Sequence, residues 1–152
     1  MTEVALVCFA TETGEFALPV DMVSGVRAAD ALHALPDARP DVAGLLHVDG
    51  TPIPVVSLLG ATGEHVLVLR ASEGPRREFG LLVRQVHGVI RVDHAAIFGP
   101  PEGQRDGLCA GVVVQDRGLV LIVDLAALSR VLAQGGEADR MASSPSPPSL
   151  ER

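Results

Sequence analysis

The sequence predicts a mainly β protein, a barrel or sandwich of about ten short strands followed by one helix. Three observations carry this. Apolar, β-branched runs of strand length recur along the chain, as in "VALVCFA", "EHVLVLRA" and "LVLIVDL". Turn-forming clusters of Gly, Pro and Asp separate them. Helical periodicity occurs once, near the end, so alternating βαβ units and the doubly wound folds they build are disfavoured.

The first run, Val4–Ala10, and "FALPV" (Phe16–Val20) flank "TETGE", which predicts a hairpin turning about Gly14. "DMVSGVRAA" (Asp21–Ala29) is read as a short strand or a bend. The following Asp30–Gly44 holds Pro36 and Pro40 and is read as loop with one helical turn. "GLLHVDGTPIPVVSLLG" (Gly44–Gly60) places Asp49-Gly50 between two apolar runs. Asp-Gly supplies the positive φ of a tight hairpin turn. Pro52 and Pro54 cannot donate to a ladder, so they predict a strand edge or entry there. Glu64–Ala71 is a strand, and "FGLLVRQVHGVIRV" (Phe79–Val92) is two strands hinged near Arg84 and Gln85. A connection rich in Gly and Pro, Asp93–Gly107, leads to a last hairpin around Asp116-Arg117-Gly118. In "DLAALSRVLAQGG" Leu125, Leu128, Val131 and Leu132 recur at helical spacing, with Asp124 as N-cap and Gly135 or Gly136 as the stop. The remainder has few large apolar groups and repeated Ser and Pro, so residues 135–152 are expected to be a disordered tail and residues 1–134 the folded domain.

Composition narrows the function. A 152-residue chain with 47% hydrophobic residues can bury a real core. A net charge of −7 cannot neutralise phosphates broadly, and the only aromatics are four phenylalanines, so no nucleic-acid partner is expected. There is no lysine, hence no P-loop lysine and no Schiff base. The amino terminus is acidic where a signal peptide would be basic, and no run reaches the length of a membrane-spanning helix. Cys8 and Cys109, without a secretion signal, read as reduced thiols in a cytoplasmic protein without membrane insertion. The histidines His33, His47, His65, His87 and His94 lack the close paired spacing of a zinc site, so neither a metal nor any other cofactor is expected. Ser24, Ser57, Ser72 and Ser129 lie in no nucleophile elbow, and no acid–base constellation is visible. The chain is therefore read as a non-enzyme.

Three segments, in order, resemble the CheW-like domain, the coupling module of bacterial chemosensory arrays. The family's G-x-x-n-x-R-G-x-x-x-P-v-v-d-L stands here as Gly44, Leu45, Leu46, His47, Val48, Asp49, Gly50, then Pro54, Val55, Val56, Ser57, Leu58. Its G-l-l-V-d-x-v-x-g-v is "GLLVRQVHGV" (Gly80–Val89), and its closing segment is "GVVVQDRGLVLIVDL" (Gly111–Leu125). The resemblance spans residues 3–133. It implies two intertwined five-stranded SH3-like barrels, with the C-terminal helix packed back on the first. It also implies a scaffold that couples the cytoplasmic tip of a chemoreceptor to the regulatory domain of a CheA-type histidine kinase. The partner-binding positions it implies are Val23, Gly25, His47, Asp49 and Gly50. The chain departs from the family at several of these. Asp49 replaces an arginine, Gly25 a glutamate of the "V-x-E-V" bend, His47 an asparagine, and Arg84 an acid. The resemblance implies an ion pair between the first two positions, and both of its partners are replaced here. The alternative to coupling is a barrel that binds a small ligand or metal.

Overall fold

The computed structural model describes residues 2–57, 59–60, 62–70, 78–104, 107–116 and 118–130. The expected tail and the helix stop lie outside these residues. The strands are β1 (Glu3–Thr11), β2 (Gly14–Pro19), β3 (Val23–Ala28), β4 (Val42–Val48), β5 (Thr51–Val56), β6 (His65–Arg70), β7 (Glu78–Val83), β8 (Gln85–Asp93), β9 (Cys109–Gln115) and β10 (Gly118–Val123). They form two five-stranded sheets, β8-β1-β2-β10-β9 (barrel 1) and β3-β6-β7-β5-β4 (barrel 2). The two barrels are intertwined as the resemblance implied. β1 and β2 pair with strands from the second half of the chain, and β6 and β7 with strands from the first.

The two sheets share one plan, shifted by five strands. β1–β2 and β6–β7 are antiparallel hairpins. Each hairpin is joined in parallel to an exchanged strand, Ala17 opposite Ile122 and Gly80 opposite Val55. Each sheet also curls until a residue beyond a 3-10 turn bridges the far strand, His33 to Leu45 and Phe98 to Val112. Beside each bridge stands a glycine. A Cβ on Gly44 would lie 2.5 Å from His33 O, and one on Gly111 would lie 2.9 Å from Phe98 O.

Burial explains the sequence pattern. Leu6 and Cys8 face the interior of barrel 1, and Val66 and Val68 that of barrel 2. The alternate residues, Phe9 from β1 and Leu67 and Leu69 from β6, face a third core between the barrels, with Phe16, Leu18, Phe79 and Leu81. Strands buried on both faces read as continuous apolar runs rather than as alternation. Phe9 and Phe16 stack there at 6.0 Å. Residues 125–130 are helical (α1), and Asp124 caps them, its Oδ1 accepting from Ala127 N at 3.1 Å. Leu125 and Leu128 enter the central core, so α1 packs on residues of both barrels rather than on one.

One local expectation is corrected and two open alternatives are decided. The first hairpin turns at Glu12-Thr13, and Gly14 already belongs to β2, opposite Thr11. Thr13 N donates to Thr11 Oγ1 and Thr13 Oγ1 to Leu59 O, which holds that turn without a glycine. Of the two readings left open for Asp21–Ala29, the strand holds, over Val23–Ala28. β5 is an interior strand, so Pro52 marks its entry rather than a sheet edge. The strand meets β7 only at Val55 and Val56, so Pro52 and Pro54 lie where β5 pairs with β4 alone, opposite His47 and Leu45. Proline is tolerated there because these are the pairs in which β5 donates nothing to β4.

Alanine at Gly44 or Gly111 should push a methyl into the closing bridge and cost about 1–3 kcal/mol each. Urea denaturation should show a lower midpoint with an unchanged slope. A wild-type midpoint for both variants would show that the closures are not tight.

Candidate functional site

The predicted partner-facing residues fall on barrel 2, along the seam where its sheet closes. Asp49 and Gly50 form the two-residue tip of the β4–β5 hairpin, with Val48 opposite Thr51. Their φ values of 49° and 83° are both left-handed, as a type I′ turn requires. That twist matches the twist of the flanking strands, so the tip is rigid. His47 is exposed on β4, opposite the exposed Pro52.

β3 forms the other side of the seam. Val23 opposes Leu69 and Gly25 opposes Val68, which leaves Ser24 as a bulge. Ser24 Oγ donates to Glu78 Oε2 at 2.8 Å and lies 3.2 Å from Val68 O. Gly25 has open space where a Cβ would stand. Val23 is half-buried and packs against the central core.

The structure ties the tip to β3 through a residue the sequence reading did not select. Arg27 Nη2 lies 3.9 Å from Asp49 Oδ1. Asp49 therefore has a partner on β3, two residues past Gly25, with the cation on the strand and the anion on the hairpin. The side chains are 45% and 90% exposed, so the pair contributes about 0–1 kcal/mol and orients the tip more than it stabilises it. The available signal was weak. Arg27 shares a strand face with Gly25, but only the closure of the sheet brings that face to the hairpin.

Barrel 1 repeats this arrangement with different side chains. In both barrels the residue between a valine and a glycine bulges, in "VSGV" at Ser24 and in "VHGV" at His87. Ser24 reaches Glu78, the first residue of β7, and His87 reaches Glu15, near the start of β2. His87 Nε2 lies 3.1 Å from Glu15 Oε1, yet the geometry is not that of an aligned hydrogen bond, and this buried nitrogen makes no other. The two four-residue strings were visible in the sequence, and only the registers reveal that they are equivalent.

The other chemical candidates take structural positions. Cys8 is buried in barrel 1, and the half-buried Cys109 donates its thiol to Gly111 O at 3.1 Å. Asp93 Oδ1 accepts from Ala95 N and starts the 3-10 turn that carries His94. Arg84 sits at the bend between β7 and β8, where its backbone N–H donates to Ala10 O. Among the described residues no cluster of three or more His, Cys, Asp or Glu side chains is placed to hold a metal ion. No helix among them is long and apolar enough to cross a membrane.

Two strand-exchanged, five-stranded barrels sharing a central core define a class of mainly β modules. The chain belongs to the CheW-like domain family, whose model matches residues 5–132. Its fold is similar to that of the scaffolding protein TtCheW from Thermoanaerobacter tengcongensis, with a TM-score of 0.72 and 22% identity over 82% of this chain and 86% of that one. No match was found among curated proteins.

Gly50→Val should destabilise the fold by about 1–3 kcal/mol, because a β-branched residue is strained at φ 83°. Gly50→Asn should cost much less, since asparagine visits left-handed conformations and the space beside Gly50 is open. Chemical denaturation of the two variants side by side checks this, and equal losses would mean that backbone strain is not what the glycine relieves.

Proposed function

We propose that this protein is a non-catalytic scaffold that couples chemoreceptors to a CheA-type histidine kinase in a chemosensory pathway. The observation that carries this reading is the match of residues 5–132 to the CheW-like domain, together with a fold like that of a scaffolding protein. The partners are the regulatory domain of the kinase and the cytoplasmic tip of a receptor. The seam of barrel 2, with Gly25, His47, Asp49 and Gly50 and with Val23 at its inner end, is the contact surface. A rigid turn beside a half-open strand presents backbone and side chains with little ordering cost on binding.

The outer face of barrel 1 supports the same class of function. Val114 and Leu119 are a cross-strand pair, 60% and 62% exposed, and Phe98, 63% exposed, flanks the same strand through its bridge to Val112. Exposed apolar side chains gathered on a sheet suit a protein partner.

Pull-down and calorimetry with the regulatory domain of the kinase encoded nearest to this protein test the reading, and saturable binding is expected. Asp49→Asn should preserve the turn and weaken that binding by roughly threefold to tenfold through loss of a rim charge. Asp49→Arg, which restores the family pattern at one position, should not create binding to a kinase that pairs with family members of the usual pattern. Position 25 still offers no carboxylate, and Arg27 would face a second guanidinium. Binding gained by that single change would overturn the assignment of this seam.

A further inference from the structure

The internal repeat allows the two barrel mouths to be compared position by position. Registers pair Arg27 with Val66 in barrel 2 and Ile90 with Leu6 in barrel 1, and Val66 and Leu6 occupy the same place in their hairpins, opposite Leu82 and Pro19. Ile90 therefore stands where barrel 2 has Arg27. By the same reasoning Asp116 stands where barrel 2 has Asp49, each following the last residue of the first strand of its hairpin, Gln115 and Val48. Glu15 stands where barrel 2 has Glu78, each preceding the phenylalanine, Phe16 or Phe79, that enters the central core.

Barrel 2 supplies its own cation at this place, Arg27 against Asp49. Barrel 1 keeps both acids but puts isoleucine in the arginine's position. Ile90 lines a cavity of about 220 Å³ at the mouth of barrel 1. Its polar rim is Glu15, Asp116, Gln115 and His87, its walls include Ile90 and Val120, and Cys8 reaches it from the barrel core. In barrel 2 the hydroxyl of Ser24 donates to Glu78, whereas in barrel 1 His87 Nε2 approaches Glu15 without completing a hydrogen bond. The rim thus offers two carboxylates, an amide oxygen and an imidazole nitrogen, with no described arginine among its residues.

We propose that the mouth of barrel 1 binds an alkylammonium or guanidinium cation, the group that barrel 2 supplies from its own chain. Acceptors dominate the rim, so it recognises N–H donors. Apolar walls of isoleucine and valine suit the methylene stem that carries such a head group. The cation comes from one of two sources, a free small amine or guanidine, or a lysine or arginine side chain of a partner protein. The site does not depend on the coupling function proposed above.

The test is a titration of the isotopically labelled full chain, followed by backbone amide chemical shifts. The probes are methylguanidinium, butylammonium, propionate, zinc chloride, and two capped tripeptides, Gly-Arg-Gly and Gly-Ala-Gly. Saturable shifts at Glu15, Gly88 and Gln115 are expected with the cations and with the arginine peptide, and none with propionate or the alanine peptide. Asp116→Asn should weaken binding about tenfold, equivalent to about 1.4 kcal/mol. Ile90→Arg, which copies barrel 2, should abolish it in a variant whose remaining amide shifts stay native. Tighter binding of the arginine peptide than of methylguanidinium identifies a partner side chain as the source, and equal or weaker binding identifies a small molecule. Absence of saturable shifts with any cation overturns the proposal, as do equal shifts with propionate, full affinity in Asp116→Asn, or saturation by zinc alone.

Discussion

The strands β1, β2, β6 and β7 have no solvent face, and the rest of the architecture follows from that burial. One side of each fills a barrel and the other fills the core between barrels, where Phe9, Phe16, Phe79 and Leu81 are all at most 7% exposed. Burying one such side chain contributes about 1.5–3 kcal/mol. Neither barrel can leave the other without exposing this layer and breaking the parallel contacts of β2 with β10 and of β7 with β5. α1 seals the same layer with Leu125 and Leu128. The two barrels are therefore one cooperative unit, even though each has its own interior cluster.

With the middle of the molecule committed to packing, variation is left to the barrel mouths and seams. There the two halves diverge in chemistry while keeping their backbone plan. Ser24 and His87 occupy equivalent bulges, and each leans on a glutamate from the start of the neighbouring hairpin's second strand. Arg27 of barrel 2 faces Asp49, whereas the equivalent Ile90 of barrel 1 lines a cavity with Glu15 and Asp116 at its rim. The hairpin tip of barrel 2 is held by left-handed backbone at Asp49 and Gly50, and so remains a fixed feature on a surface that is otherwise free to change. A scaffold gains from this division, because its core need not alter when a partner does.

Ten strands in order, the Asp49-Gly50 turn, the Asp124 cap and the double-barrel class were legible in the sequence. These depend on local rules, namely strand-length apolar runs, positive-φ turn residues and side-chain capping, or on three motif segments kept in order. The turn at Glu12-Thr13 was missed because Gly14 is the more conspicuous turn residue, while Thr11 and Thr13 hold the turn with hydroxyls. The prolines of β5 were read as an edge or an entry, because sequence shows which residues lack a donor, not how far the neighbouring strand extends.

Of the candidate site, the hairpin that carries His47, Asp49 and Gly50 was legible in the sequence. That Gly25 lies on the facing strand and that Val23 is half-buried against the central core follow from the tertiary packing. The partner of Asp49, the equivalence of "VSGV" with "VHGV" and the cavity beside His87 were decided only by tertiary structure. Each joins residues far apart in the chain, Arg27 to Asp49 across the seam of a curled sheet and Glu15 to His87 and Asp116 across three strands. Local sequence determines which strands exist and which of their faces are apolar. Register and closure determine which polar side chains meet, because both arise from the packing of strands that exchange between the two barrels.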